Sequence, residues 1–217
     1  MSSQAIIFDL DGTLLDSLDD LGDSVNVVLK NKGFPTHSME SYRYFIGEGA
    51  RMLLVRALPE SQRNENTITE CLEAFYQCYS KNWNMKTKPY AGVDSVLNEL
   101  ASREIKMAIF SNKPHEFVLQ FVDEWLSNWK FDAILGQQDS LPRKPDPAGA
   151  FQISAQLKMR PEQFLYFGDS GTDMQTASAA NMFPVGVLWG FRPLEELKKM
   201  GAKAVIEKPE EILQFLD

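Results

Sequence analysis

Asp9 and Asp11 stand two residues apart in the run DLDGT at residues 9–13. Further along, Ser111, Asn112 and Lys113 follow the apolar run IKMAIF at 105–110, Lys144 sits in RKPDP, and Asp169 and Asp173 lie in GDSGTD directly after FLYF at 164–167. Taken singly, an Asp after a strand is a turn or helix-cap residue. Several carboxylates gathered at one edge would repel one another unless a cation neutralised them. An oxygen-rich acidic set with open positions suits Mg²⁺, which keeps waters and bridges phosphates. Asp9 then offers a carboxylate nucleophile capable of forming an acyl-phosphate. Asp11 can protonate the leaving oxygen and afterwards activate water. Mg²⁺, Lys144 and the donors Ser111 and Asn112 would offset charge on the phosphoryl oxygens. Gly12 lets the backbone approach an anion, with Thr13 beside it on the phosphate side. The metal ligands expected are Asp9, Asp11 through its backbone carbonyl, and Asp169; Asp173, one helical turn on, would hold a metal-bound water or orient Lys144.

These residues need elements to place them. QAIIFDL at 4–10 reads as a buried strand followed by the turn Asp11-Gly12-Thr13. Leu18, Leu21, Val25, Val28 and Leu29 share one face of a helix over 17–32, which Gly33 and Pro35 terminate. Residues 36–84 carry helical spacing and no convincing strand, ending in the polar stretch KNWNMKTKPY. From residue 92 helices alternate with strands: helices 92–103, 114–128, 147–157 and 172–180, strands 105–110, 132–135, 164–167 and 183–188. Pro193 opens a further helix, and a short strand at 203–206 and a C-terminal helix follow. Such alternation predicts a parallel sheet with helices on both faces. The first strand must join that sheet, so residues 1–15 and 85–217 form an α/β core and 16–84 a helical domain inserted after the first strand. Ligands of open parallel sheets bind beyond the carboxyl ends of the strands, where the residues above stand.

The 217 residues suffice for one hydrophobic core and a sizeable insertion. With 44% hydrophobic and 24% charged residues the composition is that of an ordinary globular chain, and the net charge of -8 disfavours nucleic acid and anionic membranes as partners. No stretch approaches the roughly 20 apolar residues of a membrane span. MSSQAIIFDLDG turns acidic too early for a signal peptide. Cys71 and Cys78, about 10 Å apart along one helix face, are too distant for an unstrained disulfide. These features predict a cytoplasmic protein with reduced thiols. His37 and His115 are read as loop or helix-start residues.

DLDGT at 9–13, Ser111-Asn112, Lys144 in KPDP and GDSGTD at 168–173 occur in the order of the four motifs of the haloacid dehalogenase-like hydrolase superfamily, which this chain resembles. It looks closest to the phosphoglycolate phosphatase-like branch, on IGEGARMLLVRAL at 46–58, FDAILGQQD before the lysine and GVLWGF after the last motif. The resemblance implies a Rossmann-like core, Mg²⁺ dependence, an aspartyl-phosphate intermediate and an all-helical cap closing over a small phosphorylated metabolite. It also implies substrate contacts from Gly47, Glu48 and Arg51. Asp11 separates the chain from the dehalogenating branch, which lacks that second acid. A phosphomutase acting on a sugar phosphate would share the whole core. A phospho-accepting signalling domain uses a similar acidic pocket but resembles shorter chains. The substrate and the oligomeric state are left open by these residues.

Overall fold

The computed structural model describes residues 5–216. Gln4, the first residue of the expected strand 4–10, and the three residues before it lie outside the described residues. The chain runs β1 (Ala5–Phe8), β2 (Leu15–Asp16), α1 (Leu18–Asn31), α2 (Met39–Phe45), α3 (Ala50–Ala57), α4 (Glu65–Asn82) and β3 (Lys88–Pro89). There follow α5 (Val93–Ser102), β4 (Lys106–Pro114), α6 (His115–Trp125), β5 (Ala133–Gln137), α7 (Ala148–Leu157) and β6 (Phe164–Gly168). The chain closes with α8 (Gly171–Ala179), β7 (Phe183–Val187), α9 (Leu194–Lys199) and β8 (Ala204–Ile206). The expected C-terminal helix is a 3₁₀ run, Pro209–Phe215.

One parallel sheet has the order β5-β4-β1-β6-β7-β8, and β2 pairs with β3 separately. Strand β1 is central because Ala5, Ile6, Ile7 and Phe8 are all buried, the continuous apolar run that a strand covered on both faces requires. On one face Ala5, Ile7, Ala108, Phe110, Leu135, Ile153, Phe164 and Tyr166 belong to a single buried cluster. Truncating Ile7 there would cost about 2–5 kcal/mol through lost contacts and the cavity left behind. The chain builds outward from β1 through β4 to β5, then returns to the other side of β1 with β6, so the strand order reverses between β1 and β6. Crevices at such reversals lie at the carboxyl ends of the strands.

The register sets the functional level. Phe8 pairs with Ile109 on one side and with Phe167 on the other, and Asp9 N–H donates to the Phe167 carbonyl at 2.9 Å. Asp9 therefore leaves the sheet level with Phe110 and Gly168. Strand β4 extends past the expected end at Phe110 to Pro114, and its register against β5 shifts between those two residues. Ser111, Asn112 and Lys113 thus belong to an irregular strand end rather than to a loop after it. Such bulges re-aim side chains and occur preferentially beside active sites.

By internal contacts the chain divides into two compact units, Asp16–Lys88 and the flanking segments ending at Leu15 and resuming at Pro89. In the helical unit α1 buries Leu21, Val25, Val28 and Leu29, and α4 buries Ile68, Cys71, Phe75 and Tyr79, both at the three-to-four spacing of an amphipathic helix. Gly33, at φ +73°, ends α1, and Phe34 N–H returns to the Leu29 carbonyl at 2.8 Å. Buried Asp20 accepts from the backbone N–H groups of Lys86 and Thr87 and from Thr87 Oγ1, the last at 2.7 Å, tying the start of α1 to the returning chain. No described helix is long and apolar enough to cross a membrane.

Candidate active site

Asp9 directly follows β1 and is 7% exposed. Around it the α/β unit brings together Lys144, Asp169 and Asp173. Lys144 Nζ donates to Asp173 Oδ1 at 2.6 Å and to the Phe110 carbonyl at 3.0 Å, and lies 2.9 Å from Asp9 Oδ1. Asp9 Oδ1 is buried and makes no aligned hydrogen bond among the described residues, so its contact with Lys144 is an ion pair. One carboxylate oxygen from each of Asp9, Asp169 and Asp173 can lie within 4.8 Å of the others, a group able to hold a metal ion. The oxygen-only donor set fits a hard cation. With all three ionised, Asp9, Asp169 and Asp173 face the single Lys144 ammonium, an excess of two negative charges that a divalent cation would cancel.

Electrostatics agree with this geometry. Burial, and next the charge of Asp173, raise Asp9 to about 7 against the attraction of Lys144. Asp169 is held well above the usual carboxylate range, first by burial and then by Asp9 and Asp173, despite the Phe191 N–H it accepts. Burial alone would push Lys144 down, but Asp173 and Asp9 outweigh it and hold the ammonium charged. Buried acids crowded around a single lysine are the pattern expected where charge is arranged for chemistry rather than for stability.

Local structure places each carboxylate. Ser170 caps α8: its Oγ donates to Asp173 Oδ2 at 2.5 Å, and its N–H reaches the same oxygen at 3.2 Å. With Asp173 N–H returning to Ser170 Oγ at 3.4 Å, this reciprocal box leaves the other Asp173 oxygen toward Lys144. Tyr166 OH stands 3.5 Å from Asp173 Oδ1 in the same buried spot. Asp169 accepts from Phe191 N–H at 2.7 Å and is hemmed in by two glycines. A Cβ on Gly12, whose φ is +86°, would meet Asp169 Cγ at 2.6 Å, and one on Gly190 would meet Asp169 Oδ2 at 2.7 Å. Gly12 thus serves close backbone approach to Asp169.

Thr13 is 1% exposed with its Oγ1 lacking a hydrogen-bond partner among the described residues, while its carbonyl accepts from Trp189 Nε1 at 2.9 Å. Ser111 Oγ accepts from Lys113 N–H at 3.2 Å. Asn112 forms a two-point clamp on the Lys144 peptide, Nδ2 to its carbonyl at 3.0 Å and Oδ1 from its N–H at 2.8 Å. The clamp gives Asn112 a positioning duty that the expectation of a phosphate donor did not include. Asp11 stands apart from the carboxylate cluster, its two oxygens 3.0 and 3.2 Å from Lys113 Nζ.

Gly47, Glu48 and Arg51 belong to the Asp16–Lys88 unit. Gly47 and Gly49 have φ of +116° and +86°, so the turn before α3 requires glycine for its backbone. Glu48 pairs with Arg56 and Arg51 with Glu65. The residues that the sequence reading left without a role are Lys113, Tyr166, Ser170, Gly190 and Phe191. Lys113 adjoins Ser111-Asn112 and Gly190-Phe191 close the run GVLWGF, which are the signals that could have found them.

The profile of the haloacid dehalogenase-like hydrolase family matches residues 6–187. A phosphoglycolate phosphatase of Psychrobacter arcticus is 33% identical over 100% of this chain and 96% of its own length. A phosphoglycolate phosphatase of Pseudomonas syringae pv. tomato is 36% identical over 88% of this chain and 72% of its own. Among solved structures, one from Lactobacillus delbrueckii subsp. bulgaricus superposes with a TM-score of 0.92 at 29% identity, covering 100% of this chain and 99% of that one. Parallel sheet, strand-end acids and sequence matches across the core lead to one conclusion: the chain belongs to the haloacid dehalogenase-like hydrolase family.

Proposed function

We propose that this enzyme is a phosphatase that hydrolyses a small phosphorylated metabolite of the phosphoglycolate kind through an aspartyl-phosphate on Asp9. The observation that carries the proposal is the buried Asp9 carboxylate at the end of the central strand, 2.9 Å from Lys144 and beside Asp169 and Asp173. The names of the relatives above support the substrate class.

An Asp9 oxygen attacks phosphorus and the ester P–O bond breaks, while Asp11 gives a proton to the leaving oxygen. Asp11 then takes a proton from water as the water oxygen attacks the acyl-phosphate. The P–O bond to Asp9 breaks, releasing inorganic phosphate and restoring the carboxylate. Lys144 offsets charge on the phosphoryl oxygens and is held by Asp173 and the Asn112 clamp. Ser111, Gly12 and Thr13 line the phosphate side. Asp9, Asp169 and the Asp11 backbone carbonyl would hold Mg²⁺, with Asp173 behind them; the ion when bound supplies positive charge to the phosphoryl oxygens. Discrimination among phosphoesters falls to residues outside this constellation, with Gly47, Glu48 and Arg51 the candidates in the helical unit.

The test is release of inorganic phosphate by the purified protein from a panel of small phosphomonoesters, phosphoglycolate and sugar phosphates included, with Mg²⁺ and with excess chelator. Metal-dependent release from a small phosphomonoester is expected. Absence of release from every member would overturn the proposal, and full activity in chelator would remove the metal from it.

A further inference from the structure

The most unusual contact outside the Asp9 cluster joins residues 102 positions apart in sequence. Lys113 Nζ lies 3.0 and 3.2 Å from the two oxygens of Asp11, and 4.2 Å from the ring centroid of Phe121 in α6. The side chains of Lys113 and Asp11 are 4% and 12% exposed, and Phe121 is fully buried. Lysine is almost never buried unless paired, and a buried ion pair holds a fold together less well than apolar residues of the same volume. Stability alone therefore does not account for a charge in this place.

The backbone is also shaped for it. From Phe110 to Pro114 the register against β5 moves only from Leu135 to Gln137. Lys113 lies in the irregular stretch between, its N–H bound to Ser111 Oγ. Opposite the bulge, a Cβ on Gly136 would meet the Lys113 carbonyl at 2.8 Å and the His115 Cα at 2.6 Å. The bulge and the missing side chain at Gly136 together set the backbone from which Lys113 reaches Asp11.

We infer that Lys113 is a positioning residue for Asp11: its ammonium, steadied by the Phe121 ring, fixes the rotation of the Asp11 carboxylate so that proton transfer to and from the ester oxygen occurs at hydrogen-bond distance. The inference rests on the acid–base role proposed for Asp11. Proton transfer requires a heavy-atom separation of about 2.6–3.2 Å, and a misplacement of about 1 Å can cost on the order of a hundredfold in rate. An ammonium lying against both oxygens hinders rotation of the carboxylate, and one oxygen can stay on Lys113 while the other exchanges the proton. Released from Lys113, the carboxylate would sample orientations that miss the leaving oxygen. In the first step, formation of the phosphoenzyme, the consequence is specific to esters whose leaving group needs the proton; hydrolysis of the acyl-phosphate would slow for all.

The experiment compares the parent with Lys113→Met, Phe121→Leu, Asp11→Asn and the double variant Lys113→Met/Asp11→Asn. Each is assayed on an alkyl phosphomonoester hydrolysed in the preceding screen and on 4-nitrophenyl phosphate, with melting temperatures recorded. Lys113→Met is expected to lower kcat on the alkyl ester by about ten- to a hundredfold, with a much smaller effect on formation of the phosphoenzyme from the nitrophenyl ester. Phe121→Leu keeps the charge and should give the same pattern more weakly, so it tests the inference even if the methionine variant folds poorly. The double variant should be no slower on the alkyl ester than Asp11→Asn alone, because the two residues act as one unit. If Asp11→Asn distinguishes the two leaving groups in phosphoenzyme formation but Lys113→Met and Phe121→Leu slow that step equally for both esters, or if the double variant's losses multiply, the inference is overturned while the role of Asp11 stands. If Asp11→Asn slows phosphoenzyme formation from both esters alike, the acid–base assignment falls and the inference falls with it.

Discussion

Lys144 and Asp173 face each other at 2.6 Å with side chains 2% and 0% exposed, and the same ammonium reaches Asp9 at 2.9 Å. One cation thus links the acid that α8 holds to the acid that ends β1. Because Asp173 is itself fixed by Ser170, the position of Lys144 is set by a helix cap as much as by its own backbone.

Removal of that link should be costly twice over. Asp173→Ala leaves a buried ammonium with one carboxylate fewer, and breaking a buried pair in this way typically costs about 3–5 kcal/mol. The variant should melt well below the parent and should also turn over more slowly, since Lys144 loses the contact that aims it. A melting temperature and a kcat both unchanged would show that Asp9 and the Phe110 carbonyl suffice to hold Lys144.

Asp9→Asn conserves shape and removes the nucleophilic charge. Turnover of any accepted phosphoester should fall by about a thousandfold or more, the scale of losing a covalent nucleophile. Intact-mass measurement of the rapidly quenched parent should show a phosphate adduct that the variant lacks. Turnover within tenfold of the parent would dismiss the assignment.

The pH dependence of stability in the absence of metal follows from Asp9. Its proton is held to about 7 in the folded protein against 3.8 for the ordinary side chain. Below 3.8 both states are protonated and no penalty exists. As pH rises from there to about 7 the unfolded state loses its proton first, so stability falls, and above that the loss is complete. Asp169, raised in the same direction, adds to the slope. Millimolar Mg²⁺ should therefore raise the melting temperature more at pH 8 than at pH 5.5, and Asp9→Asn should flatten the metal-free profile. Equal shifts at both pH values would contradict the account.

Gly190→Ala would place a methyl group against Asp169 and the Gly12 carbonyl. Neither neighbour is a flexible side-chain tip, so the carboxylate or the loop must move. Activity should drop by about ten- to a hundredfold, and the Mg²⁺ concentration giving half-maximal rate should rise. An unchanged metal requirement would show that Asp169 tolerates the shift.

Arg51 pairs with Glu65, and the two side chains are 38% and 74% exposed. Exposed pairs of this kind contribute about 0–1 kcal/mol, so Arg51→Ala should barely change the melting temperature. A substrate carrying a second anionic group should lose about ten- to a thousandfold in kcat/KM, and nitrophenyl phosphate far less. Equal changes on both substrates would take Arg51 out of substrate recognition.

Several features of this protein were readable from local pattern. A strand buried on both faces is a continuous apolar run, so AIIF, IKMAIF and FLYF declare themselves, and their alternation with helical spacing specifies a parallel sheet. Chain order then implies that the polar residues after Phe8, Phe110 and Gly168 share one edge. Other features exist only in three dimensions. Asn112 clamping the Lys144 peptide, Phe191 N–H on Asp169 and Lys113 on Asp11 join segments whose adjacency depends on strand order and on the β4 bulge. The 3₁₀ run at Pro209–Phe215 likewise takes the place of the expected helix, with Pro209 and Ile212 buried. Apolar periodicity reports what a residue does to water, which is a local property. The partner of a buried charge is chosen by whichever segment folding brings within 3 Å, and for Asp11 that segment lies 102 residues away.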